Sequence, residues 1–507
     1  MRKLVFFLFV SVFCLFLVGC NEESASNNSG EEAGGETETE TNESGQSEEQ
    51  EEPFELSVML NLHTPEVPTD KLEVLLEEGS NTELDIQWIP DGNYEERVNT
   101  AFSTNTLPQA FLVKTAQFVQ FKDAIRDDQF WEIGPYLEEF ENLSKLREGT
   151  LKNSEVDGKL YSLYMGRPLS RSGLIYRKDW ADNLGLEAPT TTDEFYEMLR
   201  AFTEDDPDGN GQDDTIGLTD RGNLGTFNTV STWFGTPNRW GEKDGELLPE
   251  FMFPEYKQTL DFFRDIHSNG YMNKDAPVTS KTDQQEMMKN GKAGVYIGSM
   301  QDVLGINKDA EVINPDVEFD VHNNVAGPHG EFGVRSIPGY GSLIMFPKAA
   351  IKSEEELKNV LSFFDYLMSP EGANLLIWGV EGEHYEVVDG KAKILDEDKH
   401  DQEIKPYTSF EIGEPSTNGR YEAFYDYAPA QKAIDLYKDN DNYVVDDPTV
   451  GRESETYTQN AGSLDQIITD ATYQYILREI DEAGFDAAIE DWKEAGGNDV
   501  IEEYNNQ

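Results

Sequence analysis

Asp206, Asp208, Asn210, Gln212 and Asp214 place an oxygen-bearing residue at every second position of one short stretch. Spacing of this kind lets a loop wrap a hard divalent cation such as Ca²⁺, which takes roughly six to eight oxygen ligands. The side chains of Asp206, Asp208, Asn210 and Asp214 would contribute, with the backbone carbonyl of Gln212, and Gly211 permits the sharp turn between them. Where such a loop usually ends in a bidentate glutamate this chain has Gly217, which leaves a water or Asp213 to complete the shell. The expected cofactor is therefore Ca²⁺ in a structural role, stapling a loop that follows a helix. The alternative is a turn rich in Asp, Asn and Gly that holds no ion.

A second set of residues suits a saccharide. Sugar sites combine aromatic rings, which stack on the apolar faces of pyranoses, with planar polar side chains that bond hydroxyls in pairs. Trp233 and Trp240 flank the loop WFGTPNRW, and Trp378 and Tyr385 flank GVEGEH. Asn61 and His63 follow an apolar run read as a strand, at the carboxyl end where ligands of open α/β sheets collect. Arg167 and Arg171 complete the candidates. Each of the eight is singly at least as well read as a structural residue; the set together points to a sugar.

Catalytic signatures are missing. Histidines 63, 267, 322, 329, 384 and 400 show neither H-E-x-x-H nor H-x-H spacing, and no G-x-S-x-G elbow or P-loop occurs. Paired carboxylates carry no information among 100 acidic residues, since accidental pairs are guaranteed. The chain is read as a binding protein and not an enzyme.

Those 100 acidic residues stand against 40 basic ones, a net charge of −60. A surface that negative repels nucleic-acid phosphates and anionic headgroups. By the same argument uronate oligomers are disfavoured, unless a local cationic pocket overcomes the mean field. The two cysteines, Cys14 and Cys20, rule out a disulfide framework and point to targeting. Met1-Arg2-Lys3 precedes an apolar run from Leu4 to Val18, which ends in Leu17-Val18-Gly19-Cys20. That pattern resembles the bacterial lipobox and predicts a leader over 1–20, diacylglycerol on Cys20 and a cell-membrane anchor facing outward. Residues 21–53, acidic and nearly free of aromatics, read as a tether too polar to fold.

Behind the tether, strand and helix alternate. FELSVMLNL at 54–62, DIQWI at 85–89 and AFLV at 110–113 read as strands, with helices near 66–79 and 94–104, which argues for a parallel α/β sheet. Thr191 with Glu194, and Ser353 with Glu356, have the spacing of helix-opening caps. Phe195, Met198, Leu199 and Phe202 then fall on one helical face, as do Leu357, Val360, Leu361, Phe364 and Met368, and later Phe485, Ala488, Ile489 and Trp492.

Four stretches, in order, carry a wider resemblance. They are YRKDW at 176–180 with LGLE and PTT following, DPDGNG at 206–211 running into DTIGL, WGVEGEHY at 378–385, and GGND at 496–499 with EEYN. Over nearly all of 54–507 the chain resembles the extracellular solute-binding lipoproteins of carbohydrate ABC importers in Gram-positive bacteria, the LplA-like and alginate-oligosaccharide-binding group. The resemblance implies a periplasmic-binding-protein-like fold, with two α/β lobes joined by a hinge and an oligosaccharide in the cleft between them. It places 54–165 with 327–378 in the first lobe, and 166–326 with 379–507 in the second. It also implies delivery to ABC permease subunits by a monomer. Two alternatives share the features above: a surface-anchored lyase or hydrolase, and a sugar receptor for a membrane sensor kinase. Relatives of the alginate-binding kind carry an acidic ligand where this chain has Thr215, and a stacking Trp where it has Met300.

Overall fold

The computed structural model describes residues 52–507, so Cys14, Cys20, the leader and all but the last two tether residues lie outside the described residues. Leu56, Val58, Met59 and Leu60 of strand Phe54–Leu62 are fully buried, which places both faces of the strand against apolar partners. Such a strand belongs in the middle of a covered sheet. It pairs in parallel with Thr82–Pro90 on one side and with Ala110–Lys114 on the other. Tyr340–Met345 then runs antiparallel between Ala110–Lys114 and Ser162–Gly166, which makes the five-stranded sheet mixed and not purely parallel. The physical reason is the route of the chain: it leaves this sheet after Gly166, builds a second one, and re-enters from the opposite end.

The second sheet has four strands in the order Phe319–His322, Ser172–Arg177, Ala293–Ser299 and Ile216–Thr219, with two antiparallel pairings and one parallel. Helix Thr192–Glu204 covers it with Phe195, Met198, Leu199 and Phe202, all buried as the 3.6-residue pattern requires. Thr191 accepts the Glu194 N–H at 3.2 Å, but the Glu194 carboxylate reaches back one residue further than a capping box, to the Thr190 N–H at 2.8 Å. Ser353 and Glu356 repeat that arrangement, with the Lys352 N–H as the second donor.

The two sheets head two separate apolar cores, one around Leu56, Phe111 and Phe364 and one around Leu174, Phe202 and Trp233. Their boundaries differ from those expected. Residues 327–336 stay with the second body: Val334–Arg335 pairs in parallel with Val444–Val445, and Gly327 lies so close to the Trp233 carbonyl that no Cβ would fit. Conversely, the stretch from 379 to about 413 packs on the first body. Ile404, Tyr407, Phe410 and Ile412 join its core, Tyr407 Oη donates to the Thr69 carbonyl at 2.9 Å, and Ser409 Oγ donates to the Asn61 carbonyl at 2.9 Å. An apolar run goes where unfilled apolar surface remains, and here that surface belongs to the first sheet. The third crossing therefore comes later, before helix Ala428–Asn440, whose Ala430, Ala433 and Tyr437 are buried among Met300, Val303 and Ile306.

Candidate functional site

A cavity of about 730 Å³ opens where the two bodies meet. The first body contributes Arg147, Thr150, Lys152 and Asn153, the second contributes Asn228, Asn238, Arg239 and Asp447, and the crossing segments supply Leu169 and Ser336 to Pro338. Asn238 builds its floor. Buried, it donates from Nδ2 to the Ser336 and Val445 carbonyls, both at 2.9 Å, and accepts from Arg335 Nε at 3.0 Å. Arg335 is thereby fixed, and its two terminal nitrogens close on Glu250 at 2.7 and 3.3 Å. A guanidinium held in this bidentate way is a rigid, largely neutralised wall.

Arg239 is held differently. Its φ is +61°, a left-handed conformation that costs a non-glycine residue free energy. Hydrogen bonds with Glu250 pin its backbone on both sides, and Nη2 donates to Tyr457 Oη at 3.1 Å. The carboxylate paired with its guanidinium is that of Asp447, at 3.7 Å. On the opposite wall Arg147 lies 2.9 Å from Glu414 and 3.7 Å from Asp441. Burial pushes both of those carboxyls above their ordinary range, and the Arg147 charge opposes the shift. Lys152, exposed at the rim, has no ion pair among the described residues, and the side-chain amide of Asn228 has no hydrogen-bond partner there. The arrangement offers charge and planar donors to a polar ligand, and no nucleophile paired with a base.

The family model for bacterial extracellular solute-binding proteins matches residues 66–374. The polygalacturonan/rhamnogalacturonan-binding protein YtcQ of Bacillus subtilis is 38% identical over 458 residues, covering 89% of this chain and 90% of that one. The chain is a member of the bacterial extracellular solute-binding protein family. Lipoprotein LipO, also of B. subtilis, is 36% identical over 466 residues, covering 89% of this chain and 91% of that one. The fold agrees with that of an HMO-binding, ABC-transporter-associated solute-binding protein of Bifidobacterium longum infantis: TM-score 0.67 at 18% identity, over 90% of this chain and 98% of the other.

In this solute-binding protein the eight residues expected to touch a sugar are scattered. Trp233 ends helix Gly225–Trp233 with its ring edge-on to Phe195, 5.5 Å away, and is buried in the second core. Trp378 donates its indole N–H to the Tyr421 carbonyl at 3.0 Å and shares a small separate cluster with Tyr385, both rings buried. These three are core residues, a correction to the sequence reading: Gly and Pro around an aromatic mark the turn it sits in, and do not say which way the ring faces. Trp240 lines a smaller cavity beside the main one. Asn61, bonded to Asp91 at 3.0 Å, and His63, whose pKa burial lowers, stand at the carboxyl end of their strand. Arg167, 3.4 Å from Glu411, and Arg171 flank the first crossing. None of the eight lines the 730 Å³ cavity. Asn238 and Arg239 lay inside the loop singled out for its tryptophans; the positive φ that marks Arg239 leaves no trace in sequence.

The acidic loop forms as a turn. Gly211 N–H donates to the Asp206 carboxylate at 3.1 Å, Gln212 N–H to Asn210 Oδ1 at 2.7 Å, and the Asn210 amide bridges Asp208 and Asp214 at 2.8 and 3.2 Å. The Lys292 ammonium lies 2.6 Å from Asp214 and holds that carboxyl below its usual range. Among the described residues the tightest group of metal-capable side chains is elsewhere, at Glu383, His384 and Glu403. There His384 Nδ1 accepts the Val380 N–H at 3.0 Å, which leaves Nε2 protonated and donating to Glu403 at 3.0 Å, while Lys71 and Lys399 both pair with Glu383. Its lone pairs and charges are already matched by protein groups.

Proposed function

We propose that the chain captures an acidic oligosaccharide outside the cell and hands it to an ABC permease. The cavity carries this reading: both bodies wall it, so their approach would enclose a ligand, and Arg147, Lys152, Arg239 and Arg335 outnumber Asp446 and Asp447 along it in a chain of net charge −60. Lys152, without an ion pair among the described residues, and Arg239, 3.7 Å from Asp447, leave cationic donors for an anionic ligand, which reverses the expectation from net charge alone. The 38% identity to a polygalacturonan/rhamnogalacturonan-binding protein supports the same class. Titration calorimetry should show tetragalacturonate binding more tightly than neutral xylotetraose, with weakening as salt rises. Lys152→Ala and Arg239→Ala should each weaken galacturonate binding about threefold to tenfold, as expected for charge-assisted contacts in a partly wet cleft. Equal affinity for the two sugars would sink the acidic reading, and new products after long incubation would sink the binding reading.

The loop at 206–214 is proposed to hold Ca²⁺ as a structural staple, with Asp206, Asp208, Asn210 and Asp214 as side-chain ligands and Gln212 as the carbonyl. The Gly211-to-Asp206 bond already draws the turn together. Calcium would have to displace the Lys292 ammonium from Asp214. Chelation should lower the melting temperature of the mature protein and calcium should restore it, by mass action on the folded state. Asp208→Ala should abolish the difference, and a melting temperature indifferent to chelator would remove the ion. Diacylglycerol on Cys20 is proposed as the anchor; Cys20→Ser should release the protein into the medium.

A further inference from the structure

A second cavity, of about 330 Å³, adjoins the first and shares Asn228, Arg239 and Arg335 with it. The three residues stand between the two cavities. Beyond them the space is backed by the second core, where Trp240, Tyr256 and Trp492 are buried, while Asn223, Tyr457, Asp465 and Thr469 line its more exposed side. At 330 Å³ the space lies at the small end of ligand pockets, roughly 300–1,000 Å³. That is room for one sugar unit and not for a chain.

These three residues and their neighbours are polar. Arg335 cannot turn, because Glu250 and Asn238 hold it. Arg239 reaches Tyr457, whose hydroxyl donates to Asp465 at 3.0 Å, so a polar chain borders the smaller cavity. Asn228 lines both cavities, and its side-chain amide has no partner among the described residues. A planar amide with a free donor and a free acceptor matches two neighbouring sugar hydroxyls.

We propose that the side pocket takes a single-sugar branch of an oligosaccharide whose backbone lies in the larger cavity, so that the protein selects branched chains over linear ones. The inference rests on the acidic-oligosaccharide reading above. Thr469, half-buried on helix Glu455–Ile476, also lines the pocket and can be enlarged without cutting into the core.

Calorimetry on the mature chain tests it, with linear tetragalacturonate and the same backbone bearing one xylose branch as probes. The wild-type protein should bind the branched probe at least tenfold more tightly. Thr469→Trp should fill the pocket and bring the branched probe down to the linear value, leaving the linear one unchanged. Asn228→Ala should narrow the preference without touching the walls. Equal affinity of the two probes, or equal weakening of both by Thr469→Trp, overturns the side pocket while the cleft reading stands. Binding of neither probe by the wild type overturns the acidic reading and the pocket with it.

Discussion

Asp220 is buried just past the carboxyl end of strand Ile216–Thr219, and one of its carboxylate oxygens has no hydrogen-bond partner. Burial pushes its carboxyl up to about 6, against the pull of Thr226 and of Arg221. A raised carboxyl stabilises the fold when protonated, so its contribution is complete below the ordinary value of 3.8 and is lost as pH rises through about 6. Asp220→Asn should therefore match the wild type near pH 4 and exceed it by about 3 kcal/mol above pH 7, read from urea denaturation at the two pH values. A stability gap that ignores pH would exclude Asp220 as its source. Arg239 makes a complementary point. Its left-handed backbone is a local cost accepted where the side chain must face the cavity.

Between elements, the separation of helix and sheet is set by glycine. Helix Thr192–Glu204 lies so close to the second sheet that a Cβ on Gly217 would meet the Leu199 carbonyl oxygen at 2.5 Å, and one on Gly294 would enter the Phe202 ring. Backbone cannot move aside as a side-chain tip can. Gly217→Ala should cost about 1–3 kcal/mol, seen as a lower denaturation midpoint with an unchanged slope. The caps at Thr191 and Ser353 and the faces behind them were legible in sequence because they are local: hydrogen-bond reach and 3.6-residue periodicity operate within a few residues. The same locality misled at Trp233, whose Gly- and Pro-rich neighbourhood looked like a cleft rim while its ring faces Phe195 in the core.

Across the whole molecule, the two bodies are tied by more than their crossings. Glu453 of the second body pairs with Lys122 at 2.7 Å and Arg126 at 2.9 Å on the first. Its backbone N–H donates to Gln507 at 3.0 Å, and Arg452 donates to the Tyr504 carbonyl at 2.6 Å, so the carboxylate projects from a braced segment. Partly exposed ion pairs contribute roughly 1 kcal/mol or less, enough to bias a closure equilibrium. Glu453→Gln should speed sugar release about threefold to tenfold in stopped-flow traces, with the effect fading at high salt. An unchanged release rate would show that the latch does not hold the closed form. The sequence by itself settled the family, two α/β bodies and the helix faces, since these follow from local pattern and from motifs in a set order. Tertiary structure decided where each body ends, which aromatics are core, and that a chain so acidic turns basic residues into its cavity. Those outcomes depend on which distant surfaces remain to be covered once the sheets have formed, and no spacing along the chain encodes that.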